Sequence, residues 1–218
     1  MVSLDVISDP ICPWCYIGKA NLDRAIAQAG RDPFQISWRI FQLNPEMPPE
    51  GIDRKQYLEW KFGGPDGAKQ VYGRIADAGR AAGLEMNLDA IPRTPNTFDA
   101  HRLIRWAQSS GSQTAVVEDL FRKYFVEGVD ISSRDTLLDI AESAGLERDV
   151  ISRLFDGDAD REDLTREEAA AREMGVTGVP CFIINGRHVV QGAQDTETWV
   201  RIIEELNAAL DARQEDAT

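Results

Sequence analysis

The stretch Val2-Ser3-Leu4-Asp5-Val6-Ile7-Ser8-Asp9-Pro10-Ile11-Cys12-Pro13-Trp14-Cys15 decides how the rest of this chain is read. Val2, Leu4 and Val6 alternate with Ser3 and Asp5, the period of a β-strand with one buried face. Ser8-Asp9-Pro10 reads as a turn. Pro13 suits the first position of a helix, along which Ile17, Ala20, Leu22, Ala25, Ile26 and Ala29 recur at helical spacing until Gly30 stops it. Phe34, Ile36, Trp38 and Ile40 then alternate with Gln35, Ser37 and Arg39 as a second strand. The beginning of the chain therefore reads strand, CxxC, helix, strand.

Outward from there, the proline-rich stretch 44–51 marks a crossing loop. Between 53 and about 175 no strand pattern is found. Segments near 53–62, 66–82, 96–109, 113–126, 133–144, 147–155 and 161–174 read as helices. Pro65 and Pro95 are placed in first turns, Ser133 at an N-cap, and Gly145 and Gly175 at C-terminal stops. The Glu-rich run 161–173 is read as a solvated helix face. Strand character returns at 179–184, Asn185-Gly186 is a hairpin turn, and 188–191 is its partner strand. An amphipathic helix over 196–212 follows, then a polar tail from Arg213. Neither two-strand piece is stable alone, so the ends of the chain must meet in one mixed sheet of about four strands. The helical segment is then expected to lie as a lid over Cys12.

Composition narrows the classes of function. The 218 residues, 43% hydrophobic and 28% charged, suffice for one cored domain carrying an insertion. No apolar run approaches the roughly 20 residues of a membrane-spanning helix. Lys+Arg 24 against Asp+Glu 37 leaves a net charge of −13, which repels phosphate backbones and anionic lipid and argues against nucleic-acid and membrane partners. The first residues lack a basic region followed by an apolar stretch and cleavage site, so a cytoplasmic protein is expected.

Three cysteines do not make a disulfide framework, but Cys12 and Cys15 are spaced for chemistry. Structural zinc needs four ligands, and beyond this pair the chain offers only Cys181, His101 and His188, in no second paired motif, so no metal is expected. Between a strand and a helix, Cys12 would sit at a helix N-terminus, where free N–H groups stabilise an anion. Its pKa is expected below the ~8.5 of a free cysteine, making Cys12 the exposed nucleophile. Cys15, one turn deeper on the same face, can resolve a mixed disulfide. Gly178-Val179-Pro180 is the second signal. A proline opening a strand points to an edge, a bulge or a cis bond, and cis is expected here. Val179 would then offer its N–H and C=O to an extended partner. Cys181 reads as a small buried hydrophobe, with a third redox thiol as the alternative. His101 reads as a packing residue or as one placed over the cleft, which Trp14, Tyr16 and Lys19 would also line. The remaining tryptophans read as core.

In this order of elements the chain resembles the thioredoxin superfamily, in its DsbA-like branch. Phe41-Gln42-Leu43-Asn44-Pro45, the stretch from Asn96-Thr97 to Ala100-His101-Arg102-Leu103, and Gly178-Val179-Pro180 through Gly192-Ala193-Gln194 are similar to the FrnE-like subgroup, which stands beside 2-hydroxychromene-2-carboxylate isomerases and kappa-class glutathione transferases. The resemblance covers nearly the whole chain. It implies an α/β, thioredoxin-like fold with a large all-helical insertion: 1–44 and 173–218 form the thioredoxin-like domain and 45–172 the insertion. It implies dithiol–disulfide exchange by Cys12 and Cys15 with a disulfide-containing protein or small-thiol substrate, bound near Val179, Pro180, Trp14 and His101. No cofactor is required, glutathione is a candidate co-substrate, and a homodimer is allowed. The isomerases and transferases usually carry serine where Cys12 stands, and a Ser-Asp or Asn-Asp pair where this chain has Ala193-Gln194, with Asp195 one place late. Those departures count against specific glutathione binding. Two alternatives stay open: a glutathione-dependent isomerase in which Cys12 does the serine's work, and a client-binding module without turnover.

Overall fold

The computed structural model describes residues 1–215, with side chains to 212. Strand β1 (Val2–Ser8), helix α1 (Pro13–Ala29) and strand β2 (Phe34–Ile40) open the chain. β1 and β2 run parallel, Val6 opposite Trp38. At the other end β3 (Cys181–Ile184) pairs antiparallel with β1, Val6 opposite Phe182, and β4 (His188–Gln191) closes a hairpin on β3 through Asn185-Gly186. The four-stranded mixed sheet has the order β2-β1-β3-β4. The chain's two ends thus meet as the strand patterns require.

One face of the sheet packs on α1 and on the last helix, α9 (Thr196–Glu215), which outruns the expected 212; the tail beyond 215 lies outside the described residues. Trp199 of α9 is fully buried, its ring edge-on to Phe182 with centroids 4.8 Å apart. Burying such a ring is worth about 2–3 kcal/mol, which fastens the last helix to the sheet. Gly18 in α1 exists for close approach: a Cβ there would stand 3.1 Å from the Pro180 ring and 3.4 Å from Phe182. Trp38 is buried as expected, but Trp60 is 77% exposed, a correction to its reading as core.

Between β2 and β3 run seven helices among the described residues: α2 (Arg54–Phe62), α3 (Pro65–Ala81), α4 (Phe98–Trp106), α5 (Gln113–Phe125), α6 (Arg134–Ser143), α7 (Arg148–Asp156) and α8 (Arg161–Glu173). Pro65 opens α3 and the left-handed Gly145 and Gly175 end α6 and α8. Pro95 instead lies before the Thr97 N-cap of α4, outside the first turn. The segment is not free of strand. Ile52–Asp53 pairs antiparallel with Arg93–Thr94, correcting the expectation of none. Two residues a side show no alternation, so periodicity could not reveal the ladder, and only the fold brings the segments together. One further correction concerns α8. Glu168 in the supposedly solvated run is 7% exposed, because it accepts the Gln42 N–H at 2.8 Å and Arg172 Nη2 at 2.6 Å.

Candidate active site

Cys12 is the N-cap of α1, with extended φ −87° and ψ 112°, and Pro13 follows in the first turn. Its N–H is held by the Asp9 carbonyl at 2.9 Å, and its own carbonyl accepts the Cys15 N–H at 3.0 Å, starting the helix. The thiol donates to the Val179 carbonyl at 3.6 Å, across the cis Val179–Pro180 bond from β3. Cys12, Cys15, Val179 and Pro180 are thus brought together from opposite ends of the chain. All three cysteines are thiols.

Cys12 is not exposed. It is 3% accessible and Cys15 2%, which corrects the picture of an open nucleophile. What separates them is access: Cys12 borders a groove of about 260 Å³ and Cys15 does not. On one side the groove is walled by Ile11, Trp14, Leu43 and Val179, on the other by side chains of α2 and α3, including Tyr57, Phe62 and Tyr72. Of the helical segment, α2 and α3 are the helices that cover Cys12. Burial and the neighbouring Cys12 sulfur hold the Cys15 thiol well above its ordinary pKa, while the Ser8 hydroxyl and Asp9 N–H pull the other way.

Trp14 stands at the groove's edge, 39% exposed. His101 does not reach the groove. It is 3% exposed, with Nε2 turned to the Asp9 carboxyl at 3.8 Å, and burial drives its pKa down to about 3. Tyr16 stacks on Phe121 and Phe125, and Lys19 is tied to Asp23 and Glu118, so neither lines the groove either. Alternation in β3 turns Phe182 to the active-site side and Cys181 to the other. Cys181 is fully buried with Ile7, Phe41 and Val176, and burial raises its pKa.

The residue that sequence reading missed is Asp9. Its carboxyl is fully buried and accepts the N–H of Leu43 at 2.7 Å and of Ile11 at 3.4 Å, pinning the loop before Cys12 to the loop after β2. Burial pushes its pKa up to about 7 against those hydrogen bonds. The Asp9-Pro10 pair announced a turn, but nothing local announced that the carboxyl would be enclosed. Among the described residues no group of His, Cys, Asp and Glu could hold a metal ion, and no helix is long and apolar enough to cross a membrane.

A family model described as DSBA-like thioredoxin domain matches residues 3–204. The uncharacterized protein YwbO of Bacillus subtilis (strain 168) is 27% identical over 210 residues, 93% of this chain and 96% of its own length. The crystal structure of a probable DsbA oxidoreductase from Streptomyces coelicolor matches with a TM-score of 0.84 at 26% identity, over 95% of this chain and 91% of that one. A 2-hydroxychromene-2-carboxylate isomerase matches over 99% of each chain with a TM-score of 0.69; at 16% identity that likeness is one of fold.

Proposed function

From the premise that this chain belongs to the DSBA-like thioredoxin domain family, we propose that it is a thiol–disulfide oxidoreductase working through Cys12 and Cys15. The observation that carries the reading is the pairing of a groove-lining thiol at a helix N-terminus with a second thiol one turn below and out of the groove. Structural cysteines need no such difference in access.

In the reductive direction the Cys12 thiolate attacks a substrate disulfide. An S–S bond forms between Cys12 and one substrate sulfur, and the other leaves as a thiolate that takes a proton from water. Cys15 then loses its proton and attacks the Cys12 sulfur. The second substrate sulfur leaves, the Cys12–Cys15 disulfide closes, and the protein has given up two electrons. Two molecules of a thiol such as glutathione restore the dithiol and leave joined as their own disulfide. Val179 borders the groove and offers main-chain groups to a bound chain beside the reacting sulfur.

Reduction of insulin with dithiothreitol as electron donor tests the reading. Cys12→Ser abolishes turnover, and Cys15→Ser, reduced and then freed of dithiothreitol, holds the substrate as a mixed disulfide on Cys12. Insulin turnover that survives Cys12→Ser would refute the proposal, and a chromene isomerisation that depends on glutathione and survives Cys15→Ser would return the case to the isomerase. Measuring the Cys12–Cys15 reduction potential then fixes the direction of electron flow.

A further inference from the structure

Buried charges in proteins are paired, and a cation without a carboxylate beside a cavity calls for an explanation. Arg54 is such a cation. It is 8% exposed at the start of α2, yet no carboxylate among the described residues lies within ion-pair distance of it. Its guanidinium donates instead to neutral oxygens, from Nε to the Tyr72 hydroxyl at 2.8 Å and from Nη1 to Thr94 Oγ1 at 3.0 Å. It lies near the rings of Tyr57, Tyr72 and Tyr124, each about 5.7–5.8 Å from its centre. A guanidinium has five N–H donors in a planar fork, so these two bonds leave donors to spare.

Arg54 lines the groove at Cys12, and so does Lys61. Lys61 is an exposed residue at the end of α2, its ammonium donating to the Tyr57 hydroxyl at 2.5 Å, with no carboxylate ion-paired to it among the described residues. The rest of the lining is apolar or aromatic, with no aspartate or glutamate. In a chain of net charge −13 that is a local inversion. The contrast is with a second cavity of about 620 Å³ that shares Arg54, Leu58 and Tyr72 with this groove, where Lys55 and Lys69 are balanced by Asp53, Glu59 and Asp89.

We propose that Arg54 and Lys61 form a carboxylate-recognising subsite, and that the groove takes a small disulfide with an apolar, ring-sized body and an acid group. The inference rests on the oxidoreductase reading and names its substrate class. Size supports a small molecule: about 260 Å³ is below the ~300–1,000 Å³ of drug-sized pockets, enough for one ring and its carboxylate. The aromatic walls hold the ring, the arginine fork and lysine hold the acid, and the sulfur faces Cys12. The exchange is balanced by the dithiol itself: Cys12 and Cys15 lose two electrons and two protons as the bound disulfide becomes two thiols.

Two probe disulfides test this on the reduced full chain at about pH 7.5. Dithiobis(nitrobenzoate) carries a carboxylate on each ring, and dithiodipyridine is its neutral counterpart. The readout is the ratio of their second-order rate constants within each variant, which cancels changes in thiol reactivity. The subsite predicts that Arg54→Met and Lys61→Met each lower the acid-to-neutral ratio by about tenfold or more, while Arg54→Lys retains most of it. Should Arg54→Met fail to fold, Lys61→Met at the same groove carries the test. A wild type that releases fewer than two thiopyridones per chain overturns the dithiol reading and this inference with it. Full release with a ratio unmoved by both substitutions overturns the acid subsite alone. Insulin reduction falling by the same factor as the nitrobenzoate reaction would assign the cations to protein substrates and overturn the small-molecule assignment.

Discussion

Asp9 and His101 form a buried pair whose pH behaviour is unusual enough to test. Asp9 is moved from 3.8 up to about 7 by burial, and His101 from 6.5 down to about 3, also by burial. At 1.36 kcal/mol per pH unit these are worth about 4 and about 5 kcal/mol. The other ionisable groups facing them are Glu168 of α8, which raises Asp9 further, the protonated Cys15 of α1, and the Tyr124 hydroxyl of α5, itself held protonated by burial. Asp9 has a raised folded pKa and is an acid. Its contribution is fully present below 3.8 and is lost as pH rises through about 7. His101 is a base with a depressed folded pKa. Its contribution is fully present above 6.5 and is lost as pH falls through about 3. Between about pH 3.8 and 6.5 the unfolded pair therefore holds one proton, on His101, and the folded pair also holds one, on Asp9. The two dependences cancel in the wild type, and single substitutions unmask them with opposite signs. Asp9→Asn leaves His101 alone, so stability should rise with pH across the window. His101→Gln leaves Asp9 alone, so stability should fall. Each slope, taken relative to wild type, approaches about 1.4 kcal/mol per pH unit. Urea unfolding of the reduced protein at about pH 4.5, 5.5 and 6.5 measures this directly. Parallel pH profiles for the three proteins, or variants that deviate in the same direction, would show that the pair does not exchange its proton on folding.

Other expectations follow from single contacts. Gly18→Val should destabilise by about 1–3 kcal/mol in chemical denaturation and slow disulfide exchange, because the added methyls press on Pro180 and Phe182 beside Cys12; wild-type stability and rate would deny that approach. Cys181→Ala should retain insulin turnover while lowering stability by about 1 kcal/mol, since this thiol packs on the far side of the sheet. Lost turnover with retained stability would make it a redox partner after all. Glu168→Ala strands the buried Gln42 N–H and should cost about 1–3 kcal/mol in a melt, with Glu168→Gln restoring part of it. Iodoacetamide near neutral pH should label Cys12 well before Cys15 or Cys181, as peptide mapping would show, because Cys12 alone borders the groove.

The sequence by itself determined the main elements and the pair of thiols proposed to react. Alternation at Val2–Ser8 and Phe34–Ile40, the helical spacing after Pro13, and the turn at Asn185-Gly186 are local patterns. They are set by backbone hydrogen bonding and by neighbours three or four residues apart, so they can be read without knowing the fold. The position of Cys12 at a strand–helix junction belongs to the same class of information. Which side chains lose their water was decided only in three dimensions. Asp9 is enclosed because α4 and the loop after β2 close over it, and His101 is withdrawn from the groove by that same closure. Arg54 faces the Cys12 groove because α3 packs on α1 and carries α2 with it, both far from Cys12 in sequence. Alternation likewise put Cys181 and Phe182 on opposite faces, but only the packing of α8 and α9 fixed which face held the chemistry. Desolvation depends on everything within several ångströms regardless of chain distance, and no local pattern of residues encodes it.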